Sequence, residues 1–339
     1  MARLRRSDCS EPGIARVPRG RGFQYVDSAT GETVQDEETL DRIRSLAVPP
    51  GWRDVWICSD ALGHLQAVGT DDAGRRQYRY HERWLERRSQ EKFDQMLDFA
   101  GALPRVRSIA TRHLRRRGLD RGRVLAGAVR LLDRGFFRIG GEDYAADSGT
   151  YGLATMKKRH VRLEPRSVVV FDYRAKGGMR HVQSVVDRDV YRLVRELKER
   201  RGGGDELLVY REGRDWRDVR STEINAYLKE LARGDFTAKD FRTWNGTVLA
   251  AVAVAAHSDD GRSKTARKRA VSQAVAEVAR YLGNTPAVAR SAYIDPRVFD
   301  RFRAGVTIAD TVGQPDGRPL DEVDVRGRIE RAVLELLAP

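Results

Sequence analysis

Apolar and polar residues alternate with a period of two through the first part of the chain, a pattern typical of strands with one solvated face. It predicts a hairpin at 22–35 and two further strands at Arg53–Ser59 and His64–Gly69. A short helix, Glu37–Ala47, interrupts the strands and ends at a proline pair. This part of the chain is therefore predicted to be small and rich in strands.

Beyond about residue 85 the apolar spacing changes to 3.6 residues, the period of an amphipathic helix. The helices that it predicts include a first one capped by Ser89, two at Ser221–Ala232 and Lys239–Ala256, and a last one at Arg326–Leu337. Strands interrupt this region at 161–174 and, after a glycine-pair turn, at 181–185.

The predicted fold class is α+β, with a small strand-rich domain followed by a larger, mainly helical domain with a short hairpin. We expect a basic, mobile arm at 1–20, the strand-rich domain at 21–87 and the helical domain at 88–339, with 300–339 as a helical tail. A chain of 339 residues exceeds the usual size of a single core, which agrees with two domains.

The charge of the chain indicates a polyanionic partner. There are 63 Lys and Arg against 49 Asp and Glu, a net charge of +14. No apolar run approaches the roughly 20 residues that a membrane span needs, and no signal peptide is recognisable, so no membrane partner is predicted. Cys9 and Cys58 form neither a disulfide framework nor a metal pattern, which favours a cytoplasmic location.

Basic and aromatic residues are interleaved in GRRQYRYHERW at 74–84. This pattern suits contacts of cations with phosphates and of rings with bases or sugars. An ordinary surface strand with cross-strand tyrosines explains the pattern equally well. The candidate DNA contacts of this segment are Arg75, Arg76, Arg79, Tyr78 and Tyr80.

Motifs for metals and nucleotides are missing from the sequence. No tight carboxylate cluster, zinc-ligand spacing or GxxxxGK[ST] loop occurs, so neither a metal nor a nucleotide cofactor is predicted. Cleavage of a phosphodiester needs a nucleophile, stabilisation of the charge on phosphorus and a proton for the leaving oxygen. If this chain performs such a reaction, side-chain cations must supply the stabilisation.

Five polar residues stand in distinctive local sequences. An arginine precedes a glycine pair in FFRIGGEDY, a lysine occupies a turn in YRAKGG, and a second arginine opens an apolar helix in AKDFRTWNGT. An asparagine and a tyrosine follow in GNTPAVARSAYIDP. These residues are Arg138, Lys176, Arg242, Asn284 and Tyr293.

Taken together and in this order, the five residues resemble the catalytic set of the type IB DNA topoisomerases, in their compact poxvirus-like and bacterial branch. QYRYHERW, SGTYGLATMKKRHV and PPGW add to the resemblance, which covers roughly residues 20 to 300. Two positions depart from the family pattern. Asn284 stands where many members have histidine, and Ala175 replaces the glycine that usually precedes the hairpin lysine.

The resemblance implies a transesterification in which Tyr293 attacks phosphorus, forms a 3′-phosphotyrosyl link and expels a 5′-hydroxyl. Arg138 and Arg242 would stabilise the phosphorane, Lys176 would protonate the leaving oxygen and Asn284 would hold a non-bridging oxygen. Rotation of the free strand would then relax supercoils without metal or ATP. Further DNA contacts are expected from Lys239 and Tyr144. The implied protein binds duplex DNA, acts as a monomer and lies at the nucleoid.

Two other functions share some of these sequence features. A tyrosine recombinase has the same cations and nucleophile but normally shows HxLR at the second arginine, where this chain reads KDFR with Lys239 at the histidine position. A non-catalytic, basic DNA-binding protein could retain the fold alone, although an intact set of five residues argues against it.

Overall fold

The computed structural model describes residues 3–142, 145, 148–257, 263–313 and 323–338. The chain forms two units, Met1–Asp94 and Gln95–Pro339. Helix α2 (Glu82–Leu114) passes through the expected domain boundary at 87/88 without a break, so the division falls inside this helix. The helix also begins seven residues before Ser89, the predicted cap.

The first unit is built on an antiparallel sheet of five strands in the order β2-β1-β3-β4-β5. Helix α1 (Glu37–Ser45) contributes Ile43 to a core that also contains Ile14, Val55, Ile57 and Ala67. The strands are β1 (Ile14–Arg19), β2 (Gly22–Asp27), β3 (Arg53–Ile57), β4 (Leu65–Thr70) and β5 (Arg76–Tyr80).

One expectation for the N-terminal region is wrong, and another is confirmed only in part. Residues 14–19, assigned to the mobile arm, form β1, and Arg5 already makes a parallel bridge to Gly63. The predicted 22–35 hairpin has its partner on the other side, because β2 pairs with β1 through a turn at Gly20, whose φ of +58° favours glycine. On the predicted side the return is short: an antiparallel bridge joins Val26 to Thr33, and the amides of Asp27 and Val34 donate to the carbonyls of Glu32 and Tyr25.

The second unit is mainly helical, as expected, and the α+β class is confirmed. Its helices after α2 are α3 (Arg121–Gly135), α4 (Arg188–Glu199), α5 (Ser221–Ala232), α6 (Ala238–Ala255), α7 (Lys264–Leu282), α8 (Pro286–Tyr293), α9 (Pro296–Arg303), α10 (Ala309–Val312) and α11 (Val323–Leu337). Within the described ranges, no helix is both long and apolar enough to span a bilayer.

Two small sheets accompany these helices. Strands β6 (Val161–Glu164), β7 (Val168–Arg174) and β8 (Arg180–Val186) form an antiparallel sheet, and the β7–β8 hairpin matches the prediction. A second pair, β9 (Val209–Glu212) and β10 (Asp215–Asp218), was not predicted.

The core of the second unit lies around α6. Trp244 and Phe241 are fully buried, and Phe241 meets Phe99 of α2 edge to face with ring centroids 4.9 Å apart. Since α6 is apolar on nearly every side, it is enclosed by other helices and holds its few polar residues in place. Arg242 is one of them.

Candidate active site

The segment that carries Arg138 turns sharply as it leaves α3. Phe136 ends the helix in the left-handed conformation, with φ 52°. Phe137 is then buried, with its ring 4.8 Å from that of Phe171 on β7. Anchoring of Phe137 fixes the backbone at the next residue, Arg138, whose side chain is half-buried.

A close approach of two glycines holds the backbone after Arg138. A Cβ atom on Gly152 would lie 2.4 Å from the backbone nitrogen of Gly140, nearer than real side chains allow. The carbonyl of Arg138 accepts a hydrogen bond from the amide of Leu153 at 2.9 Å. The glycine pair predicted to permit a close backbone approach therefore does so here.

Arg242 lies at the centre of the site. It is only 4% exposed and donates to the carbonyls of Phe136 (2.5 Å) and Leu282 (2.9 Å). Its Cζ is 4.9 Å from the ring centroid of Tyr293, within the range of a cation–π contact. Burial lowers the pKa of Arg242, and the phenol of Tyr293 acts in the opposite direction. An arginine starts from so high a pKa that it remains charged at neutral pH.

Asn284 joins Arg138 to the end of α7. Gly283 terminates that helix with φ +59°, and its carbonyl accepts from Arg138 Nη2 at 2.7 Å. The same nitrogen donates to Asn284 Oδ1. Asn284 Nδ2 and Arg242 Nε are buried without a hydrogen-bond partner among the described residues. Such buried donors are costly unless a ligand satisfies them.

Tyr293 is the last residue of the short helix α8. Thr285, directly after Asn284, caps this helix by accepting from the amide of Val288 at 3.3 Å. A Cβ on Gly246 of α6 would lie 2.7 Å from the Tyr293 carbonyl, so glycine allows the two helices to approach closely at this point. The phenol is half-buried rather than sealed in the core. Pro296 does not merely end this helix, because it begins α9 as its first residue.

Lys176 lies in the turn between β7 and β8 and is exposed. The amide of Ala175 donates to the Met179 carbonyl at 2.8 Å, and Gly177 and Gly178 supply the positive φ angles, +84° and +75°. Ala175 itself has no positive φ, so alanine fits where the family usually has glycine. No described carboxylate forms an ion pair with Lys176, which leaves its ammonium available at the hairpin tip.

Two hairpin residues beside the arginines were missed by sequence reasoning. Tyr173 is buried, which raises its pKa to about 12 against the attraction of Arg138 and Arg242. Burial lowers the pKa of His181, and the two arginines add to this effect while the hydrogen bond with Gln183 opposes it, so the surroundings favour the neutral imidazole. His181 contacts Tyr173 edge to face at 5.6 Å. The sequence could have indicated Tyr173 and His181, because both lie just inside the turn of Lys176 and face each other across the hairpin.

The candidate DNA contacts of the first unit separate into two groups. Tyr78 and Tyr80 stack on one face of β5 at 6.1 Å and are 46% and 37% exposed. Arg76 lies on the same face, because alternate residues of a strand point to the same side, and it is also exposed. Arg79 instead donates to the carbonyl of Ala47 at 3.1 Å, and Arg75 pairs with a neighbouring aspartate.

The remaining predicted contacts lie in the second unit. Lys239 is exposed in the first turn of α6, one turn before Arg242. Tyr144 lies outside the described residues. In the part of the chain that the structure describes, no group of three or more His, Cys, Asp or Glu side chains is placed to hold a metal ion.

This arrangement provides a site for a tetrahedral anion beside a phenol. The guanidinium of Arg242 lies over the Tyr293 ring, that of Arg138 donates to Asn284, and the unpartnered donors belong to Arg242 and Asn284. Charge-assisted donors of this kind bind phosphoryl oxygens strongly. The structure thus places four of the five predicted residues in two contacting pairs, Arg138 with Asn284 and Arg242 with Tyr293, while Lys176 lies at the tip of the β7–β8 hairpin.

Two family models match the chain. Residues 81–306 match the catalytic core of eukaryotic DNA topoisomerase I, and residues 22–71 match the N-terminal domain of bacterial DNA topoisomerase IB. The first match covers most of the second unit and the second covers most of the five-stranded sheet.

Curated relatives agree with these matches. DNA topoisomerase 1B of Acanthamoeba polyphaga mimivirus is 28% identical over 83% of this chain and 85% of its own length. DNA topoisomerase 1B of vaccinia virus (strain Copenhagen) is 19% identical over 79% of this chain and 83% of its own. DNA topoisomerase 1 of Candidozyma auris is 31% identical over 46% of this chain but only 20% of its own length.

We expect a tetrahedral oxyanion to bind between Arg242 and Asn284, since the unpartnered donors there would gain hydrogen bonds. Crystals soaked in tungstate should show an anomalous peak within hydrogen-bond distance of both side chains. Arg242→Met should weaken tungstate binding, measured by calorimetry, by about tenfold or more. Arg331→Met, an exposed site on α11, is the matched control. A peak elsewhere, or an equal loss in the control, would contradict this assignment.

Proposed function

The chain belongs to the DNA topoisomerase I family and is a type IB enzyme that acts on DNA, and we propose that Tyr293 is its nucleophile. The comparisons do not favour the recombinase or the non-catalytic alternative. In this proposal the other four residues of the site act on the phosphate that Tyr293 attacks.

In the first step the oxygen of Tyr293 attacks phosphorus and the bond from phosphorus to the 5′ oxygen breaks. The products are a 3′-phosphotyrosyl ester and a free 5′-hydroxyl. The phenolic proton leaves to solvent, and Lys176 donates a proton to the departing oxygen. This role for Lys176 is supported by its position at an exposed turn, without a described ion-pair partner, on the hairpin whose Tyr173 is influenced by the charges of both arginines.

Arg138 and Arg242 stabilise the negative charge that builds on the non-bridging oxygens, and Asn284 donates one further hydrogen bond. The observation that carries this proposal is the pair of buried, unpartnered donors, Arg242 Nε and Asn284 Nδ2, the first of which belongs to the guanidinium that lies over the Tyr293 ring. A phosphodiester would satisfy both. Donors fixed before the substrate arrives stabilise a transition state without reorganisation.

The covalent intermediate lets supercoiled DNA relax by rotation of the free strand around its partner. The 5′-hydroxyl then attacks the phosphotyrosyl ester and restores the backbone. Because the ester conserves the energy of the phosphodiester, no nucleotide is needed. The fixed cations stabilise the charge on phosphorus, as metal ions do in many nucleases.

Duplex DNA is the proposed partner. Exposed Arg76, Tyr78 and Tyr80 in the first unit and Lys239 in the second would contact it, together with Tyr144. We propose that the protein acts as a monomer, because one chain supplies all five site residues, and that its substrate holds it at the nucleoid in the cytoplasm. The net charge of +14 supports a phosphate-dominated interface.

The purified protein should relax negatively supercoiled plasmid in the presence of EDTA and without ATP, because its proposed charge stabilisation comes from side chains. Agarose gels resolved over time measure the relaxation. A strict requirement for magnesium or ATP would contradict this part of the proposal.

Tyr293→Phe should abolish the covalent adduct and leave noncovalent DNA affinity within about twofold, since the variant lacks only the attacking oxygen. Denaturing gels report the adduct and anisotropy reports binding. Tyr281→Phe, which alters an exposed tyrosine on α7, is the control and should form the adduct normally. Adduct formation by Tyr293→Phe would show that the nucleophile is misassigned.

Lys176→Ala should slow single-turnover cleavage by about 10²–10⁴-fold, the usual contribution of a general acid. DNA with sulfur in place of the bridging 5′ oxygen should restore most of the rate, because a thiolate leaves without a proton. Asn284→Ala should slow both substrates equally, since it contacts a non-bridging oxygen. An equal loss on both substrates for Lys176→Ala would exclude the proton-donor role.

A further inference from the structure

The end of α3, just before Arg138, is held by side chains from other elements. Its last carbonyls have no partners inside the helix. The carbonyls of Asp133, Gly135 and Phe136 all accept hydrogen bonds from side chains. Their donors are Asn245 of α6, Gln183 of β8, Arg242 of α6 and, again at Asp133, Arg326 of α11.

Arg326 reaches this point from the C-terminal helix. Its Nη2 donates to the carbonyl of Asp133 (3.0 Å), to Asp133 Oδ1 (2.8 Å) and to Asn245 Oδ1 (3.1 Å). Its Nε donates to Glu330 at 2.9 Å. One planar guanidinium therefore joins α11 to the end of α3 and to α6, a geometry that a lysine cannot reproduce.

A second arginine completes a partly buried set of four charges. Arg107 of α2 donates to both oxygens of Asp133 (3.0 and 2.8 Å) and to both oxygens of Glu330 (2.5 and 2.7 Å). Burial acts to raise the pKa of Asp133, but Arg326 and Arg107 outweigh it and hold that pKa well below its usual range. The carboxylate is therefore ionised, and Arg326 has a fixed partner.

Apolar packing keeps α11 in place. Ile329, Val333 and Leu337 are almost fully buried, and the helix contacts α6 and α9. Because α11 is anchored on both its apolar and its charged side, the position of Arg326 is set by the core of the second unit.

We propose that Arg326 is a positioning residue for DNA cleavage. It fixes Asn245, three residues after Arg242 on α6, and the Asp133 carbonyl, five residues before Arg138. Through these two contacts the C-terminal helix sets the distance between the two arginines of the site. The inference rests on the proposed roles of Arg138 and Arg242, and it gives a function to a stretch of chain in which the sequence shows no motif.

The test compares single-turnover cleavage at saturating DNA with noncovalent affinity. Arg326→Met should lower the cleavage rate constant by about 10- to 100-fold, as expected for a small misplacement of catalytic groups. Its DNA dissociation constant, measured in a Tyr293→Phe background, should change by less than about twofold. Arg326→Lys keeps the charge but not all contacts, so an intermediate rate is expected. Arg331→Met, exposed on the same helix, should cleave at the normal rate.

Loss of folding is separated from loss of positioning by a second variant and by circular dichroism at the assay temperature. Asn245→Ala leaves the four charges intact but removes the connection to α6, and it should slow cleavage in the same way. A normal rate constant in folded Asn245→Ala or Arg326→Met would overturn the proposal, as would a loss that matches the unfolded fraction. Arg242→Ala serves as the reference: if it too cleaves normally, the proposed site is wrong, not merely the role of Arg326.

Discussion

The buried guanidinium of Arg242 is the interaction on which the site depends. Its two carbonyl bonds connect α6 to the end of α3 and to the end of α7. The first of these segments leads directly to Arg138, and the second leads to Asn284. These two bonds satisfy part of the hydrogen-bonding need of a buried cation and leave Nε without a described partner, so the group that we propose acts on the phosphate also fixes the two segments that complete the site. A substitution of Arg242 would therefore change both the proposed chemistry and the position of these two segments.

Tyr293, the proposed nucleophile, is positioned by a different means, because a glycine on α6 leaves room for the backbone that carries it. Gly246 allows the carbonyl end of α8 to approach α6 to within a distance that any Cβ would prevent. The capped start of α8 at Thr285 and the start of α9 at Pro296 limit the helix to eight residues. Because both ends of this helix are fixed, the Tyr293 ring is held against Arg242. A site assembled in this way is preorganised before DNA binds.

Local sequence patterns predicted some parts of this structure and not others. The hairpin of Lys176 was predictable because a glycine pair between alternating strands is a short-range signal, and the helix of Arg242 was predictable from its apolar run. The pairing of Arg138 with Asn284 joins positions 146 residues apart, so no periodicity reveals it and only the family resemblance brought them together. Strand β1 was missed because its proline and exposed arginines hide the alternation. The contacts of Arg326 are of the same long-range kind.

The asparagine at 284 can be understood from what surrounds it. Its Oδ1 accepts from Arg138 while its Nδ2 has no described partner, so the amide is able to contact one cation and one anion at the same time. A histidine could do both only as a neutral ring, since a protonated one has no acceptor to offer Arg138. The nearby His181 shows how these surroundings favour neutrality, because burial and the two arginines lower its pKa. Asparagine achieves the same donor and acceptor pattern without any dependence on protonation.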